Sequence, residues 1–292
     1  MTTSQFFGSR STAPLRPRVV ASLLVLLCTI PCLAQTAIPP PPPSKTPSRA
    51  NTDMLASIAK SGKLRVGVVE VVPWAMHDKN GDFVGFEIDL ARKLARDIGV
   101  DVEFHPASQR MLIPDLLANR TDIIIGSLSI EPSRALKVNF SNPYNTADVT
   151  LIANSKSESQ ATKLSDFDKR SVVIGALKGS VAEEMIGVVL PESTVHTYDD
   201  DNVLFQDLIA GRINAAAADS PHPEIVAKLF PASVLVPAVP PLGRFPAAFA
   251  IRRGDANFVF FLNAWIASRE SDHWLEQRRT YWFKTLDWEG IL

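Results

Sequence analysis

Cysteine is almost missing from this chain. Its 292 residues hold two, Cys28 and Cys32, both within the first 34. The remainder has no thiol, which excludes disulfides, thiolate zinc sites and a cysteine nucleophile there. An excess of one charge is missing too. Lys and Arg number 30 against 31 Asp and Glu, and no basic stripe is interleaved with aromatics, so nothing marks a nucleic-acid surface. After residue 34 no apolar run approaches the ~18 residues of a membrane span. A soluble, exported protein without a nucleic-acid partner is expected. Enzyme signatures are absent as well. His77, His105, His196, His222 and His273 are scattered, with no His-Glu-x-x-His pair. No Gly-x-Ser-x-Gly, Walker loop or Gly-x-Gly-x-x-Gly occurs. Neither a metal nor a cofactor is expected. His222 and Glu224 beside Asp219 are suggestive, but Pro223 between them favours a local turn.

What is present begins with an export leader. Arg10, Arg16 and Arg18 precede the apolar stretch Val19–Ile30, which has signal-peptide length and is too short to span a bilayer. Ala34 offers a small residue for cleavage, giving residues 1–34 as signal peptide and a periplasmic product. Leu27 and Pro31 precede the two cysteines where a lipoprotein anchor needs a small residue. Losing the three arginines takes the net charge from −1 to −4 (−1 − 3). Five prolines in a row, Pro39–Pro43, make an extended spacer, and residues 35–60 read as a disordered linker.

From Leu64 strands and helices alternate. Leu64–Val69, Val100–Phe104 and Asp122–Ile125 read as strands. Phe86–Ile98 carries a helical apolar stripe at 88, 91, 94, 95 and 98 and stops at Gly99, and Met111–Ala118 reads as a helix. After the strand Val149–Ala153 the pattern restarts. Strands fall at Ser171–Ala176, Thr194–Thr197 and Ile213–Ala218, and helices at Ser180–Val189, Asp200–Ala210 and Pro221–Phe230. Pro237–Pro246 reads as irregular, Ala247–Ile251 as a strand, and Asp255–Ser268 and Asp272–Phe283 as helices. The order predicts two α/β lobes with mixed sheets joined by a two-strand hinge. Lobe 1 would be 61–150 plus 247–292, and lobe 2 would be 151–246. Ligands in such folds bind beyond the carboxyl ends of strands, here in a cleft between lobes.

One turn stands out. Gly126-Ser127-Leu128-Ser129 follows an apolar strand, and Pro132 suits the first turn of the helix that carries Arg134. Two hydroxyls, free N–H groups and a guanidinium then meet at a strand's end, equipment for a small carboxylate. An ion pair of Arg134 with Glu131 or Asp148 is the plainer reading of that residue. Gly179-Ser180 opens a second helix after a strand, where Ser180 can cap the helix or donate. Asp219 ends a strand, as a pocket acid or as a cap for the next helix. Trp74 serves either the core or a stacking wall.

Together these segments resemble the polar amino-acid solute-binding proteins, family 3, of bacterial ABC transporters. The resemblance rests on Ser127 to Arg134, Gly179-Ser180, Gly211-Arg212-Ile213-Asn214 before Asp219, Gly85-Phe86-Glu87-Ile88-Asp89, and Tyr281, Trp282 and Phe283 near the end. It implies a type II periplasmic binding fold and capture of an amino acid-like ligand by lobe closure, with delivery by a monomer to a membrane permease. It implies that Ser127, Leu128, Ser129 and Arg134 hold the ligand carboxylate with Ser180 and Val181. Asp219 would hold the ammonium, and Trp74 and Gln109 would line the pocket. Val181 replaces a hydroxyl residue usual in the family, and Gln109 replaces an aromatic. Glu70 and Arg110 are candidates for specificity. A cyclohexadienyl dehydratase on the same scaffold is the main alternative. Its acid would fall at Ala182, with Glu183 and Glu184 just beyond. A sensor module for a separate receptor is the third reading.

Overall fold

The computed structural model describes residues 53–285 and 287–291. The expected leader, its cleavage after Ala34 and the proline run lie outside the described residues. The described residues open with a helix, α1 (Met54–Ser61), inside the stretch expected to be disordered. Asp53 accepts the Ala56 N–H, Gly62 closes the other end in the left-handed region (φ 71°), and Met54 and Ile58, one turn apart, are buried. Two caps and one apolar pair suffice, and the composition of the preceding proline run hid them.

β1 (Lys63–Val68) follows, then the short hairpin β2 (Met76–His77) and β3 (Phe83–Val84), α2 (Phe86–Ile98), β4 (Asp101–Pro106), α3 (Leu112–Leu117) and β5 (Ile123–Ile124). A short helix α4 (Pro132–Ala135) leads into β6 (Val138–Asn154). The second set is α5 (Leu164–Phe167), β7 (Val173–Leu177), α6 (Val181–Val189), β8 (Thr194–Tyr198), α7 (Asp201–Ile209), β9 (Ala215–Asp219), α8 (His222–Leu229) and β10 (Val234–Leu235). The chain returns along β11 (Gly243–Arg252) and continues through α9 (Ala256–Ser271), α10 (Trp274–Thr280), a wide turn over Tyr281–Thr285 and a tight helical turn over Glu289–Ile291.

The strand order is β4-β1-β5-β11-β6-β9-β7-β8, with β10 also on β6. β1 pairs in parallel with β4 and β5, and β7 with β8 and β9. The antiparallel strands β6 and β11 join the two parallel halves. β6 pairs with β11 from Val138 to Val149 and with β9 from Val149 to Ala153. Both are longer than the sequence pattern suggests. Asn142-Pro143 sits inside β6 and Pro246 inside β11, where proline normally interrupts a ladder. The register slips between Ala247 and Ala250, where β11 is irregular. Pro246 contributes through its carbonyl oxygen, which accepts the Ile130 N–H at 2.9 Å.

Each half has its own core. One gathers Leu64, Val66, Phe86, Leu90, Leu94, Phe249, Phe258 and Trp282 between the first sheet and α2, α9 and the C-terminal turn. The other half is packed on both sheet faces, by Phe167, Ile174 and Ile186 on one side and by Leu204, Leu208 and Val226 on the other. Parallel strands covered on both sides put their carboxyl ends, and the turns that follow them, on the open rim.

Candidate functional site

A cavity lies where the rims of the two halves meet. Its empty volume, open mouth included, is about 600 Å³, within the usual range for a small-molecule site. Trp74, Gln109, Ser127 and Ser129 line it from one half, and Ser180, Val181 and Asp219 from the other. Leu128, Arg134, Glu70 and Arg110 do not. Leu128 is buried against Val69, Leu112 and Leu116. Glu70 faces an adjoining polar cleft. Arg110 donates from Nε to Asp199 Oδ1 at 2.8 Å, an exposed pair between halves.

Arg134 is buried but spoken for. Its Nη1 lies 2.9 Å from Glu131 Oε1 and donates to the Ser129 carbonyl at 3.2 Å. Its Nη2 donates to the Gly179 carbonyl of the other half at 2.9 Å. Burial lowers the guanidinium's pKa, while Glu131, Glu184 and Asp219 hold it up. The start of α6 is also satisfied internally. Ser180 Oγ accepts the Glu183 N–H at 3.2 Å, and Glu183 Oε2 accepts the Gly179 N–H at 2.6 Å. Ala182 lines the cavity, whereas Glu183 and Glu184 do not.

Asp219 does not cap α8. That cap is Pro221, without a side-chain bond. Asp219 instead ends β9 at the cavity wall. Burial lifts its carboxyl to about 6, against the nearby Ser127 hydroxyl and the charge of Arg134.

Sequence reasoning passed over three polar groups. Glu87 lines the cavity, 1% exposed. Its Oε1 accepts the Tyr144 hydroxyl at 2.6 Å and the Ser127 N–H, while Oε2 has no partner. Burial raises Glu87 to about 7, Asp219 adds to the rise, and the bonds from Tyr144 and Ser127 oppose it. Asp201 starts α7, lines the same cavity, and stands 3.3 Å from the Nδ1 of buried His222. Burial pushes Asp201 well up and His222 down to about 3, so both are driven toward neutrality. The signal was available in the spacing. Glu87 is in phase with Ala91 and Leu94 on the buried face of α2, and Asp201 with Leu204, Phe205 and Leu208 on α7. Tyr144 lies inside β6, which the sequence pattern had not extended that far.

The cavity is thus acidic, with apolar walls at Val69, Val71, Leu177 and Leu204. Among the described residues that line it there is no Lys, Arg or His. Nor does any group of three or more His, Cys, Asp or Glu there stand in metal-ligating reach. Trp74 is a wall and a core residue at once, 2% exposed, 5.1 Å from the Phe283 ring, with Nε1 unpartnered.

Two α/β halves that share a pair of long strands and enclose a small polar cavity define a hinged solute-binding protein of type II periplasmic fold. The chain belongs to the bacterial extracellular solute-binding proteins, family 3, whose sequence pattern matches residues 64–285. The L-cystine-binding protein TcyJ of Escherichia coli K12 is 27% identical over 237 residues, 81% of this chain and 88% of that protein. The cyclohexadienyl dehydratase of Pseudomonas aeruginosa is 25% identical over 237 residues, with the same shares. Among solved structures, the ancestral amino acid-binding protein AncCDT-1, a precursor of cyclohexadienyl dehydratase, matches with a TM-score of 0.73 at 34% identity. The match covers 79% of this chain and 99% of that one.

Proposed function

We propose that this protein captures a small amino acid or close analogue in the periplasm by closing its lobes, 61–150 with 247–292 against 151–246, and presents the closed form to an ABC-transporter permease. It acts as a monomer after removal of residues 1–34. The observation that carries this reading is Asp219, half-buried at a strand end on the wall of a cavity that no Lys, Arg or His among the described residues lines. A carboxylate drawn out of water without a paired cation is costly, and a ligand ammonium supplies the missing charge. The Ser129 hydroxyl and the N–H groups at the start of α6 face the other end of the ligand. Arg134 joins them by exchanging the Gly179 carbonyl for the ligand carboxylate. Closure follows from contacts made only when both lobes touch the ligand.

Thermal shift of the protein lacking residues 1–34 tests this against the common amino acids. A ligand at 100 times its Kd stabilises by about 2.7 kcal/mol. No shift with any of them would end the reading.

One observation supports a dehydratase instead. Two carboxyls with raised pKa values, Glu87 to about 7 and Asp219 to about 6, line one cavity, as general acid–base chemistry requires. Against it, the position that the resemblance gives to the acid is Ala182. Turnover of arogenate or prephenate by the purified protein would replace the binding reading with this one.

A further inference from the structure

We propose that Glu87 and Asp219, which line one cavity from opposite lobes, form one ammonium-binding site, so that Glu87 is a specificity-determining contact and ligand entry displaces a proton from the pair. The inference rests on reading the cavity as an amino-acid site and adds to it the residue and the exchange that set its selectivity.

Ser127 stands near both acids. Its N–H is given to Glu87, and its hydroxyl is close enough to Asp219 to lower that carboxyl's pKa. It sits at φ 48°, in the left-handed region that a serine rarely adopts. Tyr144 clamps the same Glu87 oxygen from the hinge strand β6. The remaining oxygen, Oε2, is buried in the cavity wall with no partner. A buried acceptor left unmet is rare and costly. Two of the three hydrogens of an ammonium placed between the lobes answer Oε2 and Asp219 together.

The surrounding charges leave that place to a ligand. Asp201 faces the cavity from α7, 3.3 Å from His222 Nδ1 of α8, and burial together with Asp200 and Asp219 pushes it toward its neutral form. Arg134 of α4 feels Asp219 and Glu184 but is paired with Glu131. Trp74 Nε1, also without a partner, is a donor and suits an acceptor atom of the ligand. Among the described residues no Lys, Arg or His pairs with Glu87. Without a ligand, the acids avoid two adjacent negative charges by holding a proton. An arriving ammonium makes the ionised pair the favoured form, and the proton passes to solvent.

Calorimetric titration of the purified protein with L-arginine, L-lysine, L-glutamine and L-cystine tests this, in two buffers of different ionisation enthalpy between pH 5.5 and 7.5. The expected result is that at least one binds, more tightly as pH rises, with release of about one proton per ligand at pH 6.5. Glu87→Gln should weaken binding about tenfold at pH 7.5 and cut the proton release to well under half. Glu87→Asp should recover part of both. Wild-type binding without proton release would overturn the proposal, whatever the variants do. Unchanged affinity and proton count in Glu87→Gln would do the same, leaving Glu87 as a structural group satisfied by a buried water. Silence toward all four ligands would remove the amino-acid reading and this inference with it.

Discussion

Arg134 reaches out of its own lobe to the carbonyl oxygen of Gly179, 2.9 Å from its Nη2, at the turn that opens α6. The contact ties the two lobes by a charge-assisted bond, while Glu131 balances the guanidinium from behind. The residue that the sequence marks as a candidate anion clamp is, in this structure, a clasp between lobes.

Breaking that clasp has a measurable cost. Arg134→Ala leaves Glu131 buried without its partner, and burial already raises that carboxyl. Loss of about 3–5 kcal/mol is expected in urea denaturation. Adding Glu131→Gln should return a good part of it, because the stranded charge is then gone. Equal stability of the single and double variants would contradict this account.

Stability should also depend on pH through the cavity acids. Glu87 rises from 4.5 to about 7 and Asp219 from 3.8 to about 6 on folding. A raised carboxyl holds its proton in the folded state after the unfolded chain has lost it. Its stabilisation is complete below pH ~4 and is lost as pH climbs through about 6 and 7. His222, lowered from 6.5 to about 3, acts in the other direction. Its contribution is present above pH 6.5 and lost as pH falls toward 3. For Glu87 the difference is on the order of 3 kcal/mol, from ~2.5 pKa units at 1.36 kcal/mol each. Glu87→Gln should therefore be relatively more stable at pH 8 than at pH 4.5. Parallel pH profiles for wild type and variant in ligand-free denaturation would refute it.

The position of Glu87 depends on Gly85. This glycine sits at φ 137°, and a Cβ there would stand 2.2 Å from the Trp74 carbonyl oxygen. The close approach lets the chain turn from the Trp74 loop into α2, where Glu87 accepts a hydrogen-bonded place in the first turn. Gly85→Ala should cost about 3 kcal/mol and displace both Trp74 and Glu87, weakening any ligand. Gly254, at φ 108° with open space around it, provides the comparison. Its alanine variant bears the backbone strain alone, about 1 kcal/mol.

Much of this was written in the chain in legible form. Alternating strands and stripes gave both lobes, because half-buried helices such as α2 must repeat their apolar residues every turn. The rim residues followed from turn chemistry at Ser127 and Gly179. The long strands β6 and β11 were harder to read, because Pro143 and Pro246 look like interruptions when neighbouring strands are unknown. The acids were harder still. Glu87 and Asp201 look like favourable first-turn charges on helices, and only the meeting of two lobes turns their apolar-phase positions into a cavity wall. Arg134 illustrates the same limit. Its type and spacing were plain, but its engagement with Gly179 depends on closure.

Arg110 and Asp199 also meet across the lobes, but in water, with half or more of each side chain exposed. Arg110→Ala should change stability by less than about 1 kcal/mol. A larger loss in chemical denaturation would mean that this pair, and not Arg134, holds the lobes together.

The C-terminal turn supports the cavity from outside. Trp282 donates from Nε1 to Asp89 at 2.7 Å, and Trp288 donates to the Trp282 carbonyl at 2.9 Å. Beside them the Phe283 ring stands 5.1 Å from Trp74 and 4.8 Å from Phe86. Trp282 is 3% exposed, so Trp282→Ala should cost about 3–5 kcal/mol by leaving a cavity. Trp282→Phe keeps most of the ring and loses one bond, about 1 kcal/mol, since Arg278 still stands 3.6 Å from Asp89. Phe283→Ala removes the neighbour that fixes Trp74 without touching the cavity's polar groups. It should therefore weaken ligand binding while leaving the pH at which protons are released unchanged. A shift in that pH would show that the turn acts on Glu87 and Asp219 themselves.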